Sequence, residues 1–143
     1  MARVKIELPE KCIATFTIPV RITDVNYGNH LGNNSLVEII HEARVQFLQQ
    51  HNFTELDAGG TALIMSELIV EFKNESFYKD ILEVKIFIGE LSKVSFEIFY
   101  SISALRNNSS TIVANAKTSM VCFNYDEKKV NPMPGELRNI LIS

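Results

Sequence analysis

Between positions 24 and 34 the chain reads Asp24-Val25-Asn26-Tyr27-Gly28-Asn29-His30-Leu31-Gly32-Asn33-Asn34, placing a carboxylate, an imidazole, several carboxamides and two glycines together. Asp24 and His30 are of the types that accept or donate protons in catalysis. Asn26 can orient a water or bind a carbonyl, but a carboxamide is no general base. Gly28 and Gly32 permit a tight turn or a close approach of backbone to ligand. A helix beginning just downstream adds unpaired N–H groups and the positive end of a dipole. These are parts that can hold a carbonyl oxygen while a neighbouring polar group handles a water. Asp24, Asn26 and His30 are therefore the candidate catalytic residues. Tyr27, Gly28, Asn29, Leu31, Gly32 and Asn33 are the candidate substrate contacts.

The elements that must position this loop read clearly on either side. Residues 11–22 carry a partly alternating strand pattern, with Pro19 marking a bulge or an edge. From 35 to 51, Leu36, Ile39, Ile40, Ala43, Phe47 and Leu48 recur at three- and four-residue steps and predict one buried helix face. Ser35 with Glu38 matches a capping box at its start. Strands are expected at 61–73, 81–91, 93–105 and 111–125. Val84, Ile86 and Ile88 lie on one face, as do Phe96, Ile98, Tyr100 and Ile102. Short links at 91–93 and 106–110 predict an antiparallel meander, and the tail after Pro134 a short helix. One sheet with one long helix buries that helix only by wrapping around it. Such a sheet leaves an edge open and predicts a second copy.

Bulk properties exclude several classes. A length of 143 residues fits one domain with a real core, and 46% hydrophobic with 22% charged residues is a globular balance. A net charge of −3 without a basic block argues against a nucleic-acid partner. The N-terminal stretch beginning Met1-Ala2 has no apolar signal core, and no run is long enough to span a bilayer, so the expectation is a cytoplasmic protein without a membrane partner. Cys12 and Cys122 lack zinc-ligand spacing and read as buried free thiols. No Gly-x-Ser-x-Gly elbow is present, and Cys122 sits in an apolar run without a nearby His. Any hydrolysis would then use water directly, or a carboxylate attack with a short-lived anhydride.

The segment from Asp24 to Arg44 resembles the acyl-CoA thioesterases of the 4-hydroxybenzoyl-CoA thioesterase type. Their pattern Asp-x-Asp-x-x-Gly-His-Val-Asn-Asn is followed by a helix bearing Glu-Ala-Arg. Asp24, His30, Leu31 and Asn33 match it, and Glu42-Ala43-Arg44 arrives at the matching distance. Phe77-Tyr78-Lys79-Asp80 resembles the family's Tyr-Gly-Asp lead-in to the third strand. The departures are Asn26 for the second Asp, Asn29 for the Gly and Gly32 for the first Asn. The loop is also similar to that of plant acyl-carrier-protein thioesterases, which place a functional His where His30 stands.

The resemblance implies an α+β hotdog fold: a curved antiparallel sheet of about five strands around one long helix. It implies hydrolysis of an acyl-CoA or acyl-carrier-protein thioester, no metal or bound cofactor, and a homodimer or homotetramer. Two alternatives stay open. The loop also resembles the Asp-x-Asn-Pro-x-His of (R)-specific enoyl-CoA hydratases, with one extra residue and no Pro. A non-catalytic acyl-CoA-binding protein is the other, should Asn26 mark a lost carboxylate. Individual residues keep plainer readings as well: Asp24 capping its turn, Asn29 accommodating left-handed backbone, His30 ordering the loop, Glu67 a solvated strand residue. Glu42 and Arg44, two apart on a helix, are expected to make separate structural contacts.

Overall fold

The computed structural model describes residues 3–143; Met1 and Ala2, part of the N-terminal reading above, lie outside them. The elements run β1 (Cys12–Pro19), a 3-10 turn (Ile22–Asp24), α1 (Asn33–Gln50), β2 (Ala62–Phe72), β3 (Ile81–Leu91), β4 (Ser95–Arg106), β5 (Ser109–Asn124), β6 (Lys129–Val130) and α2 (Gly135–Ile142). All strand pairings are antiparallel, in the order β1-β3-β4-β5-β2, with the two-residue β6 against the end of β5. The hotdog expectation holds: one sheet and one long helix share a single core.

Alternation and helical period built this core as expected. Leu36, Ile39, Ile40, Ala43, Phe47 and Leu48 of α1 are all buried. With them lie Leu82, Val84 and Ile86 of β3, and Phe96, Ile98, Tyr100 and Ile102 of β4. Each large side chain so buried contributes roughly 1.5–3 kcal/mol. Pro19 closes β1, which pairs with β3 alone and is an edge strand. Asn107 and Asn108 both take positive φ, 42° and 69°, in the two-residue β4–β5 hairpin, the backbone that strand twist favours there.

Three expectations need correction. The four later strands are not one meander: β3, β4 and β5 are, but β2 pairs with β5 and lies at the sheet's far edge from β1. Residues 73–80 therefore cross the end of the sheet, about three strand spacings of 4.8 Å each, instead of turning a hairpin. The helix starts at Asn33, its N-cap is Gly32, and no side chain caps it, so Ser35 and Glu38 lie inside the helix and form no capping box. Backbone ties on Gly32 decide the start: its N–H donates to the Asp24 carbonyl at 2.9 Å, and its carbonyl accepts from Leu36 N–H at 3.0 Å. Cys122 is buried as expected, but Cys12, first residue of an edge strand, is exposed.

The core face of α1 also carries a charge. Arg44 is 6% exposed. Its Nε donates to Glu55 Oε2 at 2.9 Å and its Nη1 to Tyr100 Oη at 3.3 Å, while Tyr100 Oη pairs with Thr118 Oγ1 at 2.7 Å. Burial pushes the Tyr100 phenol up, keeping it neutral. Arg44 thus contacts the sheet, whereas Glu42 accepts a bond from Gln46 on the helix surface. Glu55 is partly exposed but Arg44 is buried, so removing Glu55 leaves a buried charge without its carboxylate. Glu55→Ala is expected to lower the unfolding free energy by roughly 3 kcal/mol. Glu42→Ala on the same protein should change it by no more than about 0.5 kcal/mol in urea denaturation.

Candidate active site

The loop between β1 and α1 is tied at every turn by its own polar groups. Asp24 is 3% exposed. Its Oδ2 accepts from Arg21 N–H at 2.8 Å and from Arg21 Nε at 3.3 Å, and its Oδ1 from Arg21 Nη2 at 3.2 Å. Burial opposes its charge, but these bonds outweigh that, and the carboxyl lies below its ordinary range. Asn26 Oδ1 accepts from Gly28 N–H at 2.9 Å and His30 N–H at 3.4 Å, leaving the amide nitrogen to point elsewhere. Asn29 N–H donates to the Asn26 carbonyl at 3.0 Å. Asn29 is the residue that turns left-handed, at φ 66°.

Gly28 and Gly32 do not take positive φ; Gly28 matters by proximity. A Cβ there would stand 3.3 Å from Asn26 Oδ1 and 3.4 Å from His30 Nε2, so the imidazole folds back over this residue. His30 Nε2 lies 3.7 Å from Glu75 Oε1, and its ring meets Phe77 edge-on with centroids 6.3 Å apart. Leu31 N–H donates to the Ser76 carbonyl at 2.8 Å. The crossing segment 73–80 thereby forms one wall of the site. No feature of the sequence pointed to Glu75.

Among the described residues nothing accepts from the N–H groups of Asn33, Asn34 and Ser35, the free donors of the first helical turn. The residues that carry them line, with Asp24, Val25, Asn26 and Gly32, a depression of about 390 Å³. Asn33 also lines a second cavity of about 280 Å³, whose other walls include His30, Leu31, Leu36, Phe72, Glu75 and Val113. Asn33, at the start of α1, is common to both linings. A larger groove of about 460 Å³ between β1 and α1 is lined by Arg21, Asp24, Glu38, His41 and Glu42 but does not reach His30.

Asp24, Asn26, His30, Leu31, Gly32 and Asn33 thus gather around the helix N-terminus. Tyr27, fully exposed at the loop tip, and Asn29 line neither cavity. Glu67 on β2 is paired with Lys117 at 2.7 Å and is not part of this wall. No cluster of His, Cys, Asp or Glu among the described residues is arranged to hold a metal ion. No helix among them is long and apolar enough to cross a membrane.

A curved sheet around one helix, with free N–H groups at that helix's start beside a polar loop, is the hotdog architecture. The chain belongs to the Thioesterase-like superfamily, whose family model matches residues 20–141. It is similar to a 1,4-dihydroxy-2-naphthoyl-CoA hydrolase of Acaryochloris marina (strain MBIC 11017), 27% identical over 125 residues that span 85% of this chain and 90% of that one. Among solved structures, a 1,4-dihydroxy-2-naphthoyl-CoA thioesterase from Synechocystis superposes with a TM-score of 0.81 at 23% identity, covering 90% of this chain and 95% of its own. A gentisyl-coenzyme A thioesterase does so with a TM-score of 0.74 at 18% identity, covering 90% and 99% respectively.

The site's wall carries a pH consequence. Asp80 accepts from Ser76 Oγ at 2.7 Å, Phe77 N–H at 2.8 Å and Arg106 Nε and Nη2 at 2.8 and 2.7 Å. The Arg106 bonds, foremost, hold its carboxyl down to about 2. A lowered folded value means the stabilisation is complete above the unfolded carboxylate range, near 3.8, and is lost as pH falls through about 2. Asp80→Asn should therefore be less stable than wild type at neutral pH, and the gap should close on acidification across that window. Chemical denaturation at stepped pH measures it.

Proposed function

We propose that this chain hydrolyses an acyl-CoA thioester to the free acid and coenzyme A. The observation that supports it most is the set of free N–H groups at Asn33, Asn34 and Ser35, on residues that line one cavity, with Asn33 also lining a second that His30 walls. A thioester carbonyl oxygen seated on these donors gains hydrogen bonds and the helix dipole just as negative charge develops on it. The acyl group then extends into the cavity walled by Leu31, Leu36, Phe72 and Val113.

Water attacks the carbonyl carbon and gives a proton to the His30 imidazole, which Glu75 at 3.7 Å steadies as it gains charge. Collapse of the tetrahedral species breaks the C–S bond, and the proton passes from His30 to the departing thiolate. The free amide nitrogen of Asn26 is a donor for the attacking water or the carbonyl. Asp24, committed to Arg21 and lowered in pKa, serves in this reading as the residue that orders the loop. The scheme uses no metal or bound cofactor. The named relatives act on aromatic acyl-CoAs, which makes such thioesters the first to assay, followed by short and long acyl-CoAs and acyl-carrier-protein thioesters.

A homodimer completes the proposal. β2 is bonded on one side only, and Met65, Phe72, Phe77, Tyr78 and Ile112 expose apolar surface on or near that side and the crossing segment. A second copy would cover them and close the open site.

Thiol release from the acyl-CoA panel is the primary test; no release from any member would sink the proposal. His30→Gln should lower kcat by roughly 10²–10⁴-fold with the fold intact, as loss of a general base does. Asp24→Asn should lower the melting temperature while leaving kcat within about threefold, an effect on the loop and not on proton transfer. A stable Asp24→Asn protein with kcat reduced as far as His30→Gln would return the base to Asp24. For the assembly, light scattering during size exclusion should give twice the chain mass of 16.2 kDa, and a fully active monomer would contradict it.

A further inference from the structure

The segment crossing the sheet end, residues 73–80, has no regular structure, yet it supplies one wall of the site and the partner of Leu31. A wall without helix or strand ladders needs other anchors to hold a site to the tolerance that chemistry needs. One anchor is Val20 after β1, whose N–H donates to the Asp80 carbonyl at 2.9 Å and whose carbonyl accepts from Lys79 N–H at 3.3 Å; the others lie on β4 and β5. At the β5 side, Lys73 N–H and Asn74 N–H donate to the Val113 carbonyl at 2.8 and 3.2 Å, and Asn74 Nδ2 to the Ile112 carbonyl at 2.8 Å. At the β4 side, Arg106 grips Asp80 with two nitrogens and also donates to the Glu75 carbonyl at 3.1 Å.

Arg106 reaches further toward the site through Phe77. Its guanidinium carbon lies 5.2 Å from the Phe77 ring centroid, within cation–π range. Phe77 is the ring that His30 meets edge-on, and His30 and Phe77 also share an isolated antiparallel bridge. A planar fork fits both the carboxylate and the ring face, which an ammonium cannot reproduce.

We propose that Arg106 and Asp80 are positioning residues for hydrolysis, a latch at the hairpin that sets His30 and Glu75 relative to the N-terminus of α1. The proposal rests on the thioesterase reading above and adds residues to it that touch no substrate. The latch acts by two routes: Asp80 fixes the Ser76 hydroxyl and the Phe77 N–H, and Arg106 fixes the Glu75 carbonyl and the Phe77 ring. Displacing a reacting group by about 1 Å costs on the order of 10²-fold in rate.

The test combines kinetics with the imidazole proton resonances of the three histidines, assigned by loss of one signal in His30→Gln. Arg106→Met should lower kcat by 10- to 100-fold with KM changed less than threefold, and should shift the His30 resonance while leaving those of His41 and His51 in place. Arg106→Lys should recover only part of kcat, because charge returns without the fork. Lys117→Met, which breaks the Glu67 and Glu97 pairs elsewhere on the sheet, should lower the melting temperature without altering kcat or the His30 signal. If Arg106→Met does not fold, Phe77→Leu removes the half-exposed ring alone and must still move both the His30 resonance and kcat. Folded Arg106→Met, or Phe77→Leu, with kcat within twofold of wild type and an unmoved His30 resonance would overturn the latch. Should the wild-type protein hydrolyse no thioester, the functional reading fails by itself, and the His30 resonance still decides whether Arg106 and Phe77 position that ring.

Discussion

One helix with one apolar face has to be buried by one sheet, and the rest of the architecture follows from that constraint. A flat sheet would cover only part of the face presented by Leu36, Ile40, Ala43 and Phe47, so the sheet curves around it. Curvature puts the start of α1 at the end of the sheet, where the β1–α1 loop and the crossing segment meet. The chemistry gathers there because the helix's first N–H groups must face something other than its own carbonyls.

The charge that α1 carries on its buried face reinforces this placement. Arg44 sits next to the middle of the buried face, and its partners come from three places: Glu55 after the helix, Tyr100 on β4 and, through Tyr100, Thr118 on β5. A buried network whose members are all bonded admits few alternative packings, since a rotated or slid helix would strand a charge. The network therefore fixes the register of helix on sheet, and with it the height of the α1 N-terminus relative to β4 and β5.

Around that N-terminus the site is assembled from irregular backbone held by specific polar bonds. Arg21 with Asp24, Asn26 with Gly28 and His30, and Asp80 with Arg106 each satisfy groups that no strand ladder serves. The carboxylates in this arrangement are largely consumed by structure: Asp24 and Asp80 both accept three or more bonds and both sit below their ordinary pKa range. Asn26 likewise spends its oxygen within the turn. What the loop leaves free is a set of donors and one imidazole, a composition suited to receiving a carbonyl and moving one proton.

Period and alternation in the sequence determined the elements, because burial on one side imposes a repeat of 3.6 on a helix and of 2 on a strand whatever the partners are. The buried set of α1, the inward residues of β3 and β4, the edge position of β1 and the hairpin at Asn107-Asn108 were legible for that reason. The cluster from Asp24 to Asn33 was legible too, being contiguous in the chain. Strand order was not, since residues 73–80 look like a link of ordinary length and nothing local says they cross the sheet end. The helix start was misread for a related reason: Ser35 and Glu38 form a good local cap, but Gly32 is bonded to Asp24 in the loop, and the longer-range tie wins. Glu75 beside His30, and Arg106 beside Asp80 and Phe77, depend on segments brought together across dozens of residues. Only the closed sheet makes them neighbours, because contact between distant residues is a property of packing and not of any stretch of chain.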